Sequence, residues 1–210
     1  MNSNLRTTRR HSAGFTIIEL LISTIVFGVV LLVVATAILQ FTRVYYKGIT
    51  ESNVQETART IADDIAQGIQ FNGGTVTNTP PGPATGVFYA FCIGDRQYSY
   101  QVGHQLTDGT PTATQKRHVL VNASVAGCTS STPAQSMNGR EMLAPSMRLA
   151  RMEVTSVGTN LYRVSVRVVY GDDDLLDNPT TSAATCKNIR AGTQFCAVSD
   201  ITTTVVKRVE

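Results

Sequence analysis

The longest apolar run of the sequence lies near its start. Residues 20–39, LLISTIVFGVVLLVVATAIL, contain no charged residue and no proline. A helix rises about 1.5 Å per residue, so a run of this length matches a hydrocarbon core of about 30 Å. A cleaved secretory signal has a shorter apolar core with a small-residue cleavage site after it, and the run has neither feature. The pattern therefore predicts a membrane-spanning helix.

A periodic pattern of apolar and polar residues continues beyond this run. From Phe41 to Ile69 the apolar residues recur mostly at steps of three and four, with polar and charged residues between them. This spacing predicts an amphipathic helix over residues 42–72 whose apolar stripe packs on a sheet. A coiled coil with a partner is the alternative, which the lack of sustained heptad spacing disfavours. The asparagine and glycines at 72–74 provide a C-terminal stop.

The rest of the chain alternates between loops and short strands. Residues 73–86 contain too many prolines and glycines for a regular element. The clearest strands are 150–155 and 162–168, which alternate apolar and polar residues and are separated by a turn at 157–160. Such alternation buries one face of an antiparallel hairpin and leaves the other in water. Further strands are predicted in VFYAFCI, QYSYQV, RHVLVNAS and DITTTVVKRV.

The positive charge of the chain is concentrated at its N-terminus. The net charge is +3, from 18 lysines and arginines against 15 aspartates and glutamates. Arg6, Arg9 and Arg10 precede the apolar run, and subtracting these three from 18 leaves 15 against 15. The remainder is neutral, which disfavours a nucleic-acid-binding surface. The basic flank predicts a cytoplasmic N-terminus, although Arg43 and Lys47 on the other flank oppose this orientation slightly.

The cysteines indicate an oxidising compartment. All four follow the apolar run: Cys92, Cys128, Cys186 and Cys196. An even number on one side of a membrane is typical of disulfides, with four free buried thiols as the alternative. Of the three possible pairings, Cys92 with Cys128 and Cys186 with Cys196 is favoured because these pairs close the shorter loops. Zinc is less favoured because no C-x-x-C pair occurs.

Few other residues suggest catalysis or ligand binding. Asp172, Asp174 and Asp177 are a weak candidate for a Ca²⁺ site, but they lack the EF-hand spacing, and a solvated turn is the ordinary interpretation. His104 and His118 are isolated, which favours surface or structural roles. The sequence contains no signature of a serine hydrolase, a zinc protease or a phosphate-binding loop. We therefore expect neither an enzyme nor a cofactor, and a membrane-anchored enzyme is the least favoured alternative.

Glu19 is the anomaly beside the apolar run. A carboxylate well inside a bilayer costs about 2.5–3.5 kcal/mol on insertion scales, so it is retained where it has a partner or a function. The ordinary alternative places Glu19 at the membrane interface, one helical turn from the end of the span, where water reaches it.

The residues around Glu19 resemble a known processing signal. Gly14, Phe15 and the following TIIELL, directly before a spanning helix, resemble the cleavage and methylation signal of type IV pilins and type II secretion pseudopilins. The resemblance implies that a prepilin peptidase removes a leader, residues 1–14, by cutting between Gly14 and Phe15, and N-methylates Phe15. It also implies that Glu19 neutralises the N-terminal amine of a neighbouring subunit, since opposite charges attract strongly at low dielectric.

The resemblance extends to fold and role. The patterns predict an α+β fold that agrees with the pilin fold, with a long N-terminal transmembrane and amphipathic helix packed on an antiparallel β-sheet. The implied segments are an assembly helix over 15–41, the amphipathic helix over 42–72 and an extracytoplasmic β-rich domain over 73–210. The implied role is a structural minor pilin or pseudopilin of a type IV pilus or type II secretion-like filament. The stretch ARTIADDIAQGIQF is similar to J-type pseudopilins and PilW-like minor pilins.

Partners and location follow from the same resemblance. The implied partners are other pilin or pseudopilin subunits, the prepilin peptidase, an inner-membrane assembly platform and, before assembly, membrane lipid. The implied location is the cytoplasmic membrane, crossed once with the N-terminus inside, and then a surface filament.

Tyrosines suggest a second function, the reception of single-stranded DNA by stacking on aromatic rings. Tyr89, Tyr98 and Tyr100 alternate along predicted strands, where core or cross-strand pairs are the more usual role. Tyr45 and Tyr46 fit an aromatic belt where the helix leaves the membrane. A DNA-receptor minor pilin of an uptake pilus is therefore the alternative function, and nucleic acid is a disfavoured partner.

Overall fold

A computed structural model describes residues 14–79, 87–105, 119–128, 139–187 and 192–208. The chain divides into two compact units, Met1–Arg43 and Val44–Glu210. A single helix, α1, is assigned from Ile17 to Phe71 without interruption. Antiparallel sheets follow it in the second unit. The predicted α+β fold is therefore confirmed.

The part of α1 that lies in the first unit has no protein cover. All its large apolar side chains from Ile17 to Leu39 are exposed, and the helix is long and apolar enough to cross a membrane. The hydroxyls of Ser23, Thr24 and Thr36 donate to backbone carbonyls three or four residues earlier, at 2.8–2.9 Å. These polar groups are therefore satisfied within the helix, as an apolar environment requires.

Among its described residues, the second unit contains nine strands in three antiparallel sheets. A four-stranded sheet has the order β1-β2-β3-β4, a three-stranded sheet has the order β5-β6-β9, and β7 pairs with β8. The strands are β1 Phe88–Ile93, β2 Arg96–Gln101, β3 Leu120–Ser124, β4 Arg140–Glu141, β5 Met147–Gly158, β6 Leu161–Tyr170, β7 Leu176–Asp177, β8 Thr185–Cys186 and β9 Ala197–Val206.

The predicted hairpin is longer than its sequence pattern indicated. Strand β5 begins at Met147 and pairs with β6 in a register that sets Val154 opposite Val164. The turn is tighter than predicted, because β5 continues to Gly158 and Asn160 adopts a positive φ of 57°. Asparagine tolerates this left-handed conformation better than most residues, which explains its position in the turn.

The apolar stripe of α1 in the second unit forms one side of the main core. Its residues recur every three or four positions and are buried: Val54, Ala58, Ile61, Ala62, Ile65 and Ile69. They cluster with Phe91 and Tyr98 of the four-stranded sheet and with Met152 and Val166 of the three-stranded sheet. Burying one large aliphatic side chain contributes about 1.5–3 kcal/mol, so this stripe holds the helix to both sheets.

The segment after α1 connects the two larger sheets. The Thr77 amide donates to the Cys92 carbonyl at 3.0 Å, at the edge of β1. Two residues later, the Thr79 amide donates to the Val154 carbonyl of β5 at 3.0 Å, and its hydroxyl accepts from the Val154 amide at 2.9 Å. Part of the predicted irregular loop thus covers backbone groups of two sheet edges that would otherwise lack partners.

Both disulfides lie in the second unit. Cys92 is bonded to Cys128 and Cys186 to Cys196, with Cα atoms 5.9 and 5.8 Å apart. These are the pairs that close the shorter loops. The first bridge attaches the segment after β3 to β1, and the second joins β8 to the start of β9.

Candidate processing and assembly site

The candidate site begins where α1 starts. Gly14, Phe15 and Thr16 precede the first helical residue, Ile17. The Glu19 amide donates to the Thr16 hydroxyl at 3.3 Å and to its carbonyl at 3.1 Å. The Thr16 hydroxyl in turn donates to Glu19 Oε2 at 3.5 Å. Thr16 is therefore the N-cap, and Thr16 and Glu19 stand at the spacing of a capping box.

This cap is a feature that the sequence analysis missed, although its signal was present. The order Thr-x-x-Glu before an apolar run is a recognised helix start. The cap gives Glu19 a local role beside any role in assembly. A carboxylate in the first turn is also favoured by the partial positive charge at the helix N-terminus.

Glu19 lacks a counter-charge within the described part of the chain. No lysine or arginine side chain there lies within ion-pair distance of its carboxylate. The Thr16 contact supplies a hydrogen bond but no positive charge. At low dielectric a carboxylate without a cation is costly, so the described part of the subunit leaves the charge of Glu19 uncompensated.

The packing of the chain does not explain the residue types at the predicted cleavage point. A Cβ atom added at Gly14 would meet no atom within 4 Å. The side chain of Phe15 is 68% exposed. Neither the smallest side chain at position 14 nor an aromatic ring at position 15 is therefore required by contacts that the structure describes.

The structure does not group the aspartates proposed as a weak metal candidate. Asp172, Asp174 and Asp177 form no cluster, and the described residues contain no group of three acidic, histidine or cysteine side chains that could hold a metal ion. The aspartate between them, Asp173, instead accepts from Arg148 Nη1 at 2.7 Å. An ion pair rather than a shared ligand therefore organises this turn.

Arg148 is the second residue that the sequence analysis missed. Its side chain is only 2% exposed, although it belongs to β5. Its Nη2 donates to the Gly171 carbonyl at 3.0 Å and its Nη1 to the Pro179 carbonyl at 3.3 Å. Arg148 therefore holds the loop after β6 in place. The predicted strand began at residue 150 and so did not include this arginine.

Two of the three strand tyrosines are not available for stacking on nucleic acid. Tyr98 and Tyr100 are fully buried. The ring of Tyr98 stacks on Phe91 at 4.9 Å, and that of Tyr100 lies 5.8 Å from Tyr89 on the neighbouring strand. Burial, and then the hydrogen bond from its hydroxyl to Asp64, raise the pKa of Tyr98. These are cross-strand pairs, so the DNA alternative loses two of the rings on which it depends.

The histidines are not brought into a site. His104 is exposed and belongs to no metal-binding group among the described residues. His118 lies outside the described residues, as do Arg6, Arg9 and Arg10.

Comparison with known proteins identifies the N-terminal segment. The prokaryotic N-terminal methylation motif matches residues 9–35, which include Gly14, Phe15 and Glu19. A search of curated proteins and a search of solved structures found no match. The motif implies processing by a prepilin peptidase, assembly with other pilin subunits and anchoring in a membrane. Residues 9–35 are therefore the methylation signal of type IV pilins and pseudopilins, carried on a long apolar helix, and support a pilin-like or pseudopilin-like protein.

Proposed function

We propose that this protein is a structural minor pilin or pseudopilin of a type IV pilus or type II secretion-like filament. The observation that carries the proposal is the methylation motif at residues 9–35, which spans the start of a helix whose large apolar side chains are all exposed from Ile17 to Leu39. Such a surface requires lipid before assembly and neighbouring helices afterwards. The role is structural rather than catalytic.

In this proposal the cut falls between Gly14 and Phe15, and Phe15 becomes the methylated N-terminus. Contacts with the described residues place no steric demand on either residue. Their identities then serve an external partner, the peptidase, which needs a small residue before the scissile bond, at a point where the described backbone is not yet helical.

Glu19 has two successive roles in this proposal. In the precursor it caps α1 near the membrane surface, where its desolvation is incomplete. After cleavage, the new amine at Phe15 of a neighbouring subunit supplies a cation that Glu19 lacks among the described residues of its own chain. Each charge is then compensated inside the apolar filament core, which favours assembly over the isolated subunit.

The topology of the proposal places the N-terminus in the cytoplasm and the second unit outside. Arg6, Arg9 and Arg10 on the N-terminal flank support this orientation, by the tendency of basic residues to remain inside. Two disulfides in the second unit support an oxidising compartment for it.

A minor subunit is preferred to a major one. Removing 14 of 210 residues leaves 196, which is larger than many major pilins. Thr36 also occupies the place where major pilins often carry a helix-bending proline. Immunodetection in isolated filaments would measure the amount of this protein relative to the main subunit. We expect this protein to be substoichiometric, and equal amounts of the two would contradict the assignment.

Mass spectrometry of the mature protein tests the processing step. The expected N-terminal residue is Phe15 with one added methyl group. An intact Met1 terminus in cells that contain a prepilin peptidase would overturn the proposal.

The variant Glu19→Ala tests the assembly step. We expect it to insert and to be cleaved, but to be absent from sheared filaments, because the neighbour's amine then has no carboxylate. Glu51→Ala is the matched control, since Glu51 is an exposed carboxylate of the same helix that pairs with Lys47. Normal incorporation of Glu19→Ala would show that Glu19 is only an interfacial cap.

A further inference from the structure

The exposed apolar side chains of the second unit are not scattered evenly. Among the described residues of this unit, nine large apolar side chains are exposed, and Phe71, Val87, Val157 and Val206 are dispersed. The other five form what we call the aromatic patch: Val44, Tyr45, Tyr46, Ile49 and Phe195. Four of the five lie within six residues of α1, and such a local concentration of exposed apolar side chains indicates an interaction surface more often than scattered ones do.

The patch is built from two segments that are distant in sequence. The rings of Tyr46 on α1 and Phe195 lie 5.8 Å apart. Phe195 ends a short 3₁₀ helix, Thr193–Phe195, in the loop closed by the Cys186–Cys196 disulfide. Phe195 is 44% exposed even though the bridge restrains its loop at the next residue. The fold therefore holds this ring at the surface.

A cleft of about 500 Å³ adjoins the patch. Apolar residues line part of it, including Pro145, Met147 and Tyr170, while Asn53 and Thr57 of α1 form a polar side. Aromatic side chains that have apolar groups on one side and polar groups on the other are typical of the region between lipid headgroups and acyl chains.

The position of the patch along the chain selects its partner. Val44 follows directly after the last residue of the first unit, and Tyr46 lies seven residues, about two helical turns, after the apolar run ends at Leu39. We propose that the aromatic patch docks on the phospholipid surface of the membrane before assembly, with Phe195 and Tyr46 at the boundary between headgroups and acyl chains. This inference rests on the membrane anchoring in the proposed function and adds a second contact with the same bilayer.

The absence of tryptophan from the sequence makes a direct test possible. Single tryptophans are introduced into the full chain as Phe195→Trp and, independently, Tyr46→Trp. Phe27→Trp, in the apolar run, is the positive control. Val157→Trp is the matched exposed control, because it lies ten residues from Met147 along β5, about 33 Å at the usual strand rise.

Each protein is reconstituted in phosphatidylcholine and phosphatidylglycerol vesicles at a large excess of lipid, without assembly machinery. Quenching by lipids brominated near the headgroup end of the acyl chain is then measured. We expect both patch probes to be quenched at least as strongly as Phe27→Trp, because an interfacial side chain lies about 5–10 Å into the boundary region, close to these bromines, whereas position 27 lies nearer the middle of the apolar run. Val157→Trp should show no quenching.

The outcomes separate this inference from the proposed function. If Phe27→Trp is not quenched, the anchoring itself fails. If Phe27→Trp is quenched but neither patch probe exceeds Val157→Trp, the anchoring stands and the docking inference is overturned. A blue-shifted emission of the patch probes without quenching would assign the patch to a protein neighbour, which also overturns it.

Discussion

Replacing Tyr98 with phenylalanine should lower the free energy of unfolding of the second unit, whereas the same change at Tyr100 should not. The two residues are two positions apart on β2, and both side chains are fully buried. The Tyr98 hydroxyl donates to Asp64 Oδ2 at 2.8 Å. The Tyr100 hydroxyl has no hydrogen-bond partner among the residues that the structure describes. The pair therefore compares a satisfied with an unsatisfied buried hydroxyl in one strand.

The size of the effect follows from these contacts. A hydrogen bond to a charged group contributes about 1.5–3 kcal/mol. The Asp64 side chain is 33% exposed and keeps a bond from Asn122 Nδ2 at 2.9 Å, so the lower part of this range applies. A phenylalanine at 98 retains the stacking on Phe91, so we expect a loss of about 1.5–2 kcal/mol. At 100, removing an unpartnered hydroxyl should change stability by between zero and a gain of about 1 kcal/mol.

Urea unfolding of the second unit, expressed from residue 44 with its disulfides intact, measures both values. The comparison is valid where the m-values agree, because stability alone has then changed. In an Asp64→Ala background, Tyr98→Phe should cost much less, since its hydrogen-bond partner is gone. Equal losses at Tyr98 and Tyr100, or a larger loss at Tyr100, would refute the reasoning.

Three further predictions concern the same unit. Burial raises the pKa of Tyr98 above its ordinary 10.0, so the stability linked to this proton is fully present below about pH 10. Above that pH the free energy of unfolding falls by up to about 1.4 kcal/mol per pH unit. A urea midpoint that stays constant as the pH rises from about 9 to about 11 would contradict this. Arg148→Ala should lower the free energy of unfolding by about 3 kcal/mol or more, whereas Asp173→Ala should lower it by about 1 kcal/mol or less, because the arginine is buried and the aspartate is 72% exposed. Urea unfolding measures both values, and equal losses would oppose this account. Removing the Cys92–Cys128 disulfide, with a sequence separation of 36, should lower the free energy of unfolding by about 1 kcal/mol more than removing the other bridge, with a separation of 10, in the loop-entropy relation. The first variant should therefore have the lower melting temperature, and the reverse order would argue against this account.

The sequence determined the features that depend on neighbouring residues. The apolar run, the three- and four-residue spacing after it and the Gly14-to-Glu19 motif are all local, and α1 and its buried stripe follow from them. The helix start is local too, because the Thr16 cap bonds to a residue only three positions away. The hairpin of β5 and β6 could also be predicted, since alternation and a short turn are properties of one segment.

Only the tertiary structure decided which polar side chains became structural. Asp64 looked like one acid among others on the wet face of a helix, yet it accepts from Tyr98, 34 residues away, and from Asn122, 58 residues away. Arg148 likewise bonds to carbonyls 23 and 31 residues beyond it. Such pairings depend on how two sheets and a helix meet, which no local pattern encodes. Phe195, in the loop closed by the Cys186–Cys196 disulfide, reaches Tyr46 for the same reason, because the tertiary fold brings together residues that the chain separates by most of the second unit.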